Sequence, residues 1–216
     1  AGILNLVLLS KRILKEDGVD QKNIDQFLQY LELMEGETRR ISRIVSNLLV
    51  FARQSKIELV KFDLNDLIEQ TLLLNANLLK LNNIHILEEL EYNLPLIQGS
   101  EDQIKQVLMN LISNAVESMT NSRKKRMTIK TFSKQNQSSI GLMIKDTGSG
   151  IPKNIVSKIF EPFFTTKKKG KGVGLGLSVV YGIIQDHGAK IYVDSKPDEG
   201  TCFSLSLYKE MPSEKT

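Results

Sequence analysis

Asp146 opens one glycine segment, Asp146-Thr147-Gly148-Ser149-Gly150-Ile151-Pro152, and a second follows at Gly170-Lys171-Gly172-Val173-Gly174-Leu175-Gly176-Leu177. A carboxylate accepts hydrogen bonds and donates none. Gly148 and Gly150 allow tight backbone approach and dihedrals closed to other residues. Gly170, Gly172, Gly174 and Gly176 run directly into an apolar periodic stretch, so they lead a helix. The N-terminus of such a helix turns amide protons and partial positive charge toward an anion. Between the clusters stand Thr165, Thr166 and the cations Lys167, Lys168 and Lys169, which suit phosphate oxygens. Upstream, Gln106, Asn110 and Asn114 are spaced four apart and share one face of a helix. Together these residues suit the binding of a polar, anionic ligand. Metal clusters and nucleophilic triads are not visible in the sequence.

The elements that would hold these groups follow from periodicity. Ile104, Val107, Leu108, Leu111 and Ala115 lie opposite the amide row, so the helix over Glu101–Met119 faces a core. Ser100 is placed to cap it, with Gln103 completing a capping box. Glu58–Phe62, Ile84–Leu90 and Ile97–Gly99 read as extended, and Asp63 or Asn65 starts a helix running to about Leu81. Met127–Ser133 and Ser139–Lys145 read as one hairpin, Ala189–Asp194 and Thr201–Tyr208 as another, with a helix from about Gly174 to Asp186 before the second. The sum is an α+β sandwich, a mixed sheet with helices on one face.

The first quarter of the chain has a different grammar. Ala1–Leu9 is apolar and lacks a start signal, so it reads as a helix already under way that ends near Lys15–Asp17, before Gly18. A second helix is expected from about Asp20 to about Gln54. Its Phe27, Leu31, Met34, Thr38, Ile41, Val45, Leu48 and Ala52 form an unbroken heptad seam. Two helices alone make a thin core, and pairing two hairpins across a two-fold axis buries both seams as a four-helix bundle. The expected organisation is therefore a hairpin over 1–56, acting as half of a dimeric bundle, a domain over 57–210 and a tail over 211–216.

Composition narrows the class. The 216 residues are 41% hydrophobic and 25% charged, as in ordinary globular domains. No apolar run reaches the length of a membrane span, and no secretory signal is visible. The single Cys202 excludes an intrachain disulfide. The net charge of +4 is dispersed apart from Arg123–Arg126 and Lys167–Lys171, so nucleic acid is not expected as a partner.

Four motifs in this order resemble a known family: Asn110-x-x-x-Asn114-Ala115, Asp146-x-Gly148-x-Gly150-Ile151, Phe160-x-Pro162-Phe163-Phe164, and Gly170-x-Gly172-x-Gly174-Leu175-Gly176-Leu177. They are similar to the N, G1, F and G2 boxes of a sensor histidine kinase ATP-binding domain, a Bergerat-type fold shared with DNA gyrase and MutL. The resemblance covers roughly 57–208, and the hairpin resembles the dimerisation and phosphotransfer element of the same kinases. It implies ATP or ADP and Mg²⁺ as ligands, a response-regulator receiver domain as partner, no membrane contact by this stretch and a cytoplasmic location. Anchorage of a longer protein is left open. The family's acceptor histidine sits just before a stretch like Ala1-Gly2-Ile3-Leu4, so it is expected ahead of Ala1. The two histidines present, His85 and His187, lie off the seam, and His187 reads as a structural C-terminal residue suited to the helix dipole.

Carried over residue by residue, the resemblance assigns Asp146 to the adenine amine, favouring ATP over GTP, which would set an oxygen against the carboxylate. It gives Thr201 a supporting role at adenine, Asn110 the Mg²⁺ ligand, and Asn114 a place near phosphate and ribose. Gly148, Gly150, Ile151, Gly172, Gly174, Leu175, Gly176 and Leu177 line the nucleotide. Thr165, Thr166 and a lid lysine, Lys167 with Lys168 and Lys169 able to substitute, meet the γ-phosphate, with Phe160, Phe163 and Phe164 anchoring a lid. Gln106 stands where relatives often carry glutamate. An amide cannot act as a general base, which disfavours gyrase-type hydrolysis and is tolerable where the nucleophile is an imidazole. Another ATPase or serine kinase of the superfamily, or a non-enzymatic nucleotide-gated module, are the rival readings.

Overall fold

Helical periodicity in the first quarter produces two helices, α1 over Gly2–Glu16 and α2 over Gln21–Ala52, packed against each other. The computed structural model describes residues 2–16, 21–52, 59–133, 139–166 and 173–209. The chain divides into two compact units, 1–53 and 54–216. In the hairpin the seam is covered only in part. Phe27 and Met34 are half-buried, while Leu31 and Ile41 stay 42% and 46% exposed. Thr38 is exposed and returns its hydroxyl to the Met34 carbonyl at 2.7 Å. The side chains of Val45, Leu48 and Ala52 lie outside the described residues, as do Gly18 and the tail.

In the second unit, β1 (Val60–Phe62) pairs antiparallel with β3 (Ile97–Gly99) as a separate two-stranded ribbon. Asp63, and not Asn65, caps the next helix, accepting from the amides of Asn65 and Asp66 at 2.7 and 3.3 Å. That helix is broken in two, α3 over Leu64–Leu74 and α4 over Ala76–Leu81, where one element to Leu81 was expected. Asn75 causes the break: buried and near φ −97°, ψ 6°, it turns its side-chain amide onto the Thr71 carbonyl at 2.8 Å.

The main sheet has the order β2-β4-β5-β7-β6, built from β2 (His85–Glu89), β4 (Arg126–Ser133), β5 (Ser139–Asp146), β6 (Lys190–Lys196) and β7 (Gly200–Tyr208). Only β2 and β4 run parallel. The inner face follows the two-residue strand period. Ile140, Leu142 and Ile144 of β5 sit opposite Leu207, Leu205 and Phe203 of β7, and all six are buried. Against this face pack α5 (Glu101–Ser118) and α6 (Gly176–Asp186), with α3 beyond α5. From α5, Ile104, Val107, Leu108, Leu111, Ile112, Ala115 and Val116 are at most 4% exposed.

Two helix starts differ from expectation. Ser100 caps α5 by accepting from the Gln103 amide at 3.4 Å, but Gln103 does not reciprocate. The Ser100 amide donates instead to His187 Nε2 at 3.0 Å, and Gln103 Oε1 is buried without a partner. His187 is buried, with Nδ1 2.7 Å from the Ile183 carbonyl, so it is a neutral ring that donates from Nδ1 and accepts at Nε2. It joins the end of α6 to the start of α5 by hydrogen bonding, and a positive charge facing the helix dipole has no part in that. Helix α6 begins at Gly176, two residues after the expected Gly174, because Gly174 takes a left-handed φ of 72°.

Candidate nucleotide-binding site

At one end of the sheet, the inner face turns from apolar to polar. The alternation that buries Ile140, Leu142 and Ile144 next places Asp146 inward, and those that bury Phe203 and half-bury Val193 place Thr201 and Ser195. These three residues connect. Ser195 Oγ lies 2.9 Å from Thr201 Oγ1, and the Thr201 amide donates to Asp146 Oδ1 at 3.4 Å. Asp146 is only 3% exposed. Its Oδ1 also accepts from the Gly148 amide at 2.7 Å and from the Ser118 hydroxyl at 3.0 Å. Burial pushes the carboxyl above the ordinary aspartate range, opposed in turn by the Gly148, Ser118 and Thr201 donors. None of these three bonds uses Oδ2.

The loop after Asp146 is fastened on both sides. Ser149 donates its amide to Ser118 O at 3.1 Å and accepts from the Asp198 amide at 2.9 Å, while the Ile151 amide donates to Ser195 Oγ at 2.8 Å. Thr147 Oγ1 donates to Lys124 O at 2.6 Å and accepts from the Arg126 amide at 3.0 Å. Three glycines here are sterically required. A Cβ on Gly148 would lie 2.1 Å from Ser118 Oγ, one on Gly150, with φ 66°, 1.9 Å from Lys196 O, and one on Gly200, with φ 105°, 2.0 Å from Asp146 O.

Along α5, Gln106, Asn110 and Asn114 are half-buried on one face, as spaced. Asn110 reaches the start of α6: its Oδ1 lies 3.5 Å from where a Cβ on Gly176 would stand. Asn110 Nδ2 is buried without a hydrogen-bond partner. Turning the amide over would offer a carbonyl oxygen at the same place. One such oxygen, with no three-residue carboxylate, His or Cys cluster among the described residues, fits a small hard cation that keeps waters and takes its other ligands from phosphate. Leu175 is buried at the N-cap of α6 and Leu177 is half-buried beside it.

The intervening segment is less regular. A short 3₁₀ turn spans Val156–Lys158, and Phe160 packs on Tyr181 of α6, ring centroids 5.2 Å apart. Phe163 does not anchor the segment: it is 67% exposed at φ 66°. Its backbone, with that of Phe164, crosses Gly174 so closely that a Cβ there would stand 2.5 Å away. Thr165 and Thr166 are exposed, and Lys167 and Gly172 lie outside the described residues. The structure therefore brings together Asp146, Gly148, Gly150, Ile151 and Thr201 in one cluster, and Asn110 with Gly176 in another along the same helix. Ser118, Ser195 and Gly200 belong to the first cluster and were not expected. For Ser118 a signal existed, since it continues the row Gln106, Asn110, Asn114 by four more residues.

A family model described as histidine kinase-, DNA gyrase B- and HSP90-like ATPase matches residues 99–211. Sporulation kinase A of Bacillus subtilis is 37% identical over 182 residues, which is 84% of this chain and 29% of that protein. The chain spans less than half the length of the curated relatives it matches. Among solved structures, the catalytic domain of histidine kinase ThkA has a TM-score of 0.62 at 32% identity, covering 70% of this chain and 96% of that one. Histidine kinase ThkA in complex with response regulator protein TrrA has a TM-score of 0.74 at 26% identity, covering 99% of this chain and 60% of that one. The buried carboxylate between two glycine turns and the amide row beside a glycine-led helix accord with these matches, and the chain belongs to the histidine kinase-, DNA gyrase B- and HSP90-like ATPases, on their histidine kinase branch.

Proposed function

We propose that this chain is the ATP-binding catalytic core of a two-component sensor histidine kinase. It moves the γ-phosphoryl of Mg-ATP to a histidine on a helical bundle, from which an aspartate of a response-regulator receiver domain takes it. The observation that carries the reading is Asp146: a buried carboxylate with Oδ1 committed to three donors and Oδ2 left for the adenine amine. Guanine would set an oxygen there, and two facing acceptors repel. Thr201 supports the carboxylate from β7. Asn110 holds Mg²⁺, whose charge offsets that of the phosphates, and Asn114 lies a turn along toward ribose and phosphate. The amides leading into α6 take the phosphate chain, with Gly172, Thr165, Thr166 and Lys167 closing from the lid. Catalysis is positioning and electrostatic stabilisation, with no group of this domain needed as a base. Gln106, an amide, is consistent with that.

Residues 1–56 serve as the dimerisation and phosphotransfer hairpin, and 57–210 as the catalytic domain, in the cytoplasm. Support for a homodimer comes from apolar side chains left outside the hairpin: Leu4 is 65% exposed, Leu8 55% and Leu28 52%. Support for a receiver partner comes from the ThkA relative, solved with its regulator. No helix among the described residues is long and apolar enough to cross a membrane. His85 sits on β2 and His187 is buried, so the phosphoacceptor is a histidine supplied on another helix. The test is a trans assay. Labelled ATP with Mg²⁺ and a second polypeptide bearing a bundle helix with a histidine is expected to leave acid-labile phosphate on that helix. Binding of nucleotide without any transfer, across several such helices, would favour the nucleotide-gated module instead.

A further inference from the structure

We propose that Ser118 is a positioning residue for adenine recognition: its hydroxyl holds Oδ1 of Asp146 so that Oδ2 faces the ligand as a charged acceptor. The inference rests on the adenine reading of Asp146. Ser118 closes α5, and its oxygen sits between two acceptors, the Ala115 carbonyl at 2.8 Å and Asp146 Oδ1 at 3.0 Å. A hydroxyl has one proton. A serine near a helix end ordinarily returns it to the carbonyl three or four residues back. Here a buried carboxylate competes, and a hydrogen bond to a charged acceptor is about twice as strong as one to a neutral one. The proton therefore turns to Asp146 when that group is ionised and back to Ala115 when it is not.

The other two donors to Oδ1 are backbone amides, of Gly148 and Thr201, supplied by the fold whatever the side chains. Among the described residues, Ser118 is the only side chain that donates to this oxygen. The approach is close as well: Gly148 has no room for a Cβ because Ser118 Oγ and Cβ occupy the space. The same residue's carbonyl accepts the Ser149 amide, so Ser118 fixes both the carboxylate and the turn after it. The charged groups on the surrounding elements are Glu117 on α5, Arg126 on β4, Lys145 on β5, and Lys196, Asp198 and Glu199 at the β6–β7 turn; burial raises the carboxyl's pKa, and its three donors lower it. A proton added to Asp146 goes to Oδ2, because Oδ1 is already shared among donors, and Oδ2 is the oxygen adenine needs.

The experiment measures ADP affinity by calorimetry from about pH 8 down to about pH 5, spanning the range above an ordinary aspartate. The proteins are the unaltered chain, Ser118→Ala, Asp146→Asn, and Thr120→Ala as a control. Thr120 also returns its hydroxyl to the α5 backbone, at Glu117 O, without touching Asp146. Ser118→Ala is expected to weaken binding about three- to tenfold at neutral pH, as for the net loss of one ordinary hydrogen bond, because the two backbone donors still hold Oδ1. Its loss of affinity on acidification should also begin at higher pH, since one donor that favours the carboxylate is gone. Thr120→Ala should match the unaltered chain. A Ser118→Ala protein with the unaltered affinity and pH profile overturns the inference, provided Asp146→Asn has lost binding. If Asp146→Asn binds normally, it is the adenine reading that fails. Should Ser118→Ala not fold, Ser118→Cys, similar in size and a poor donor, carries the same comparison.

Discussion

Replacing Asp146 with asparagine separates what the carboxylate does for the ligand from what it does for the fold. The side chains have the same shape, so Oδ1 can keep the Gly148, Ser118 and Thr201 donors. Only Oδ2 changes, from an acceptor to a donating amide, and it then faces the adenine amine proton to proton. A buried polar group left unmatched costs about 1–3 kcal/mol, which is about five- to 150-fold in affinity. Stability should move the other way. Burial raises the folded-state pKa of Asp146 above its unfolded value, so the folded protein holds this proton more tightly. For such a group the favourable contribution is complete below the unfolded pKa and is lost as pH rises through the folded pKa. At neutral pH the charged carboxylate is then a cost to the empty protein, and the neutral amide removes it. Without nucleotide, Asp146→Asn should melt at the same temperature as the parent or higher, and the difference should shrink on acidification. With saturating ADP the parent should gain and the variant should not, since stabilisation follows ligand occupancy. Calorimetry and thermal melts at two pH values read both arms. Unchanged ADP affinity would refute the pocket assignment. A variant that melts well below the parent would refute the electrostatic account.

Four other outcomes follow from packing. Gly200→Ala should destabilise the protein by more than about 2 kcal/mol in denaturant melts, because at φ 105° its Cβ would meet Asp146 O. Gly182→Ala is the contrast: it lies within α6 with nothing within 4 Å of a Cβ, and should stabilise by about 0.5–1 kcal/mol. His187→Ala should cost about 2–4 kcal/mol, leaving the Ser100 amide unpaired and a cavity against Gly99; equal melts for variant and parent would sink that role. In the hairpin, Leu8→Glu or Leu28→Glu should convert a dimer to a monomer by light scattering while ADP affinity stays within about twofold, because both are more than half exposed in the single hairpin.

What could be read from the sequence, and what could not, divides by the range of the interaction. The elements came from period: β4 and β5 pair as the expected hairpin, as do β6 and β7, and α5 buries the stripe expected of it. Contacts set by residues distant in the chain stayed hidden. The Ser100-x-x-Gln103 spacing signals a reciprocal cap, yet the Ser100 amide is taken by His187 from the far end of α6, 87 residues on. The aromatic Phe163 invites burial, but a left-handed backbone angle turns it out to solvent, and no periodic pattern encodes that angle. Asn75 ends α3 through a local side-chain bond that the apolar run of Leu72, Leu73 and Leu74 masks. The site shows the same division. Asp146 stands out by its glycines and Thr201 by the family resemblance, but Thr201's bond to Asp146, and Ser195 bonded in turn to Thr201, come from sheet register, which pairs Ser195 with Thr201 and puts β7 beside β5. Ser118 lies between these cases. Its place in the row of residues four apart was local and legible; its bond to Asp146, 28 residues away, was not. A row of polar residues along a helix marks the wall of a site, and only the strand that ends against it decides which of them carries the chemistry.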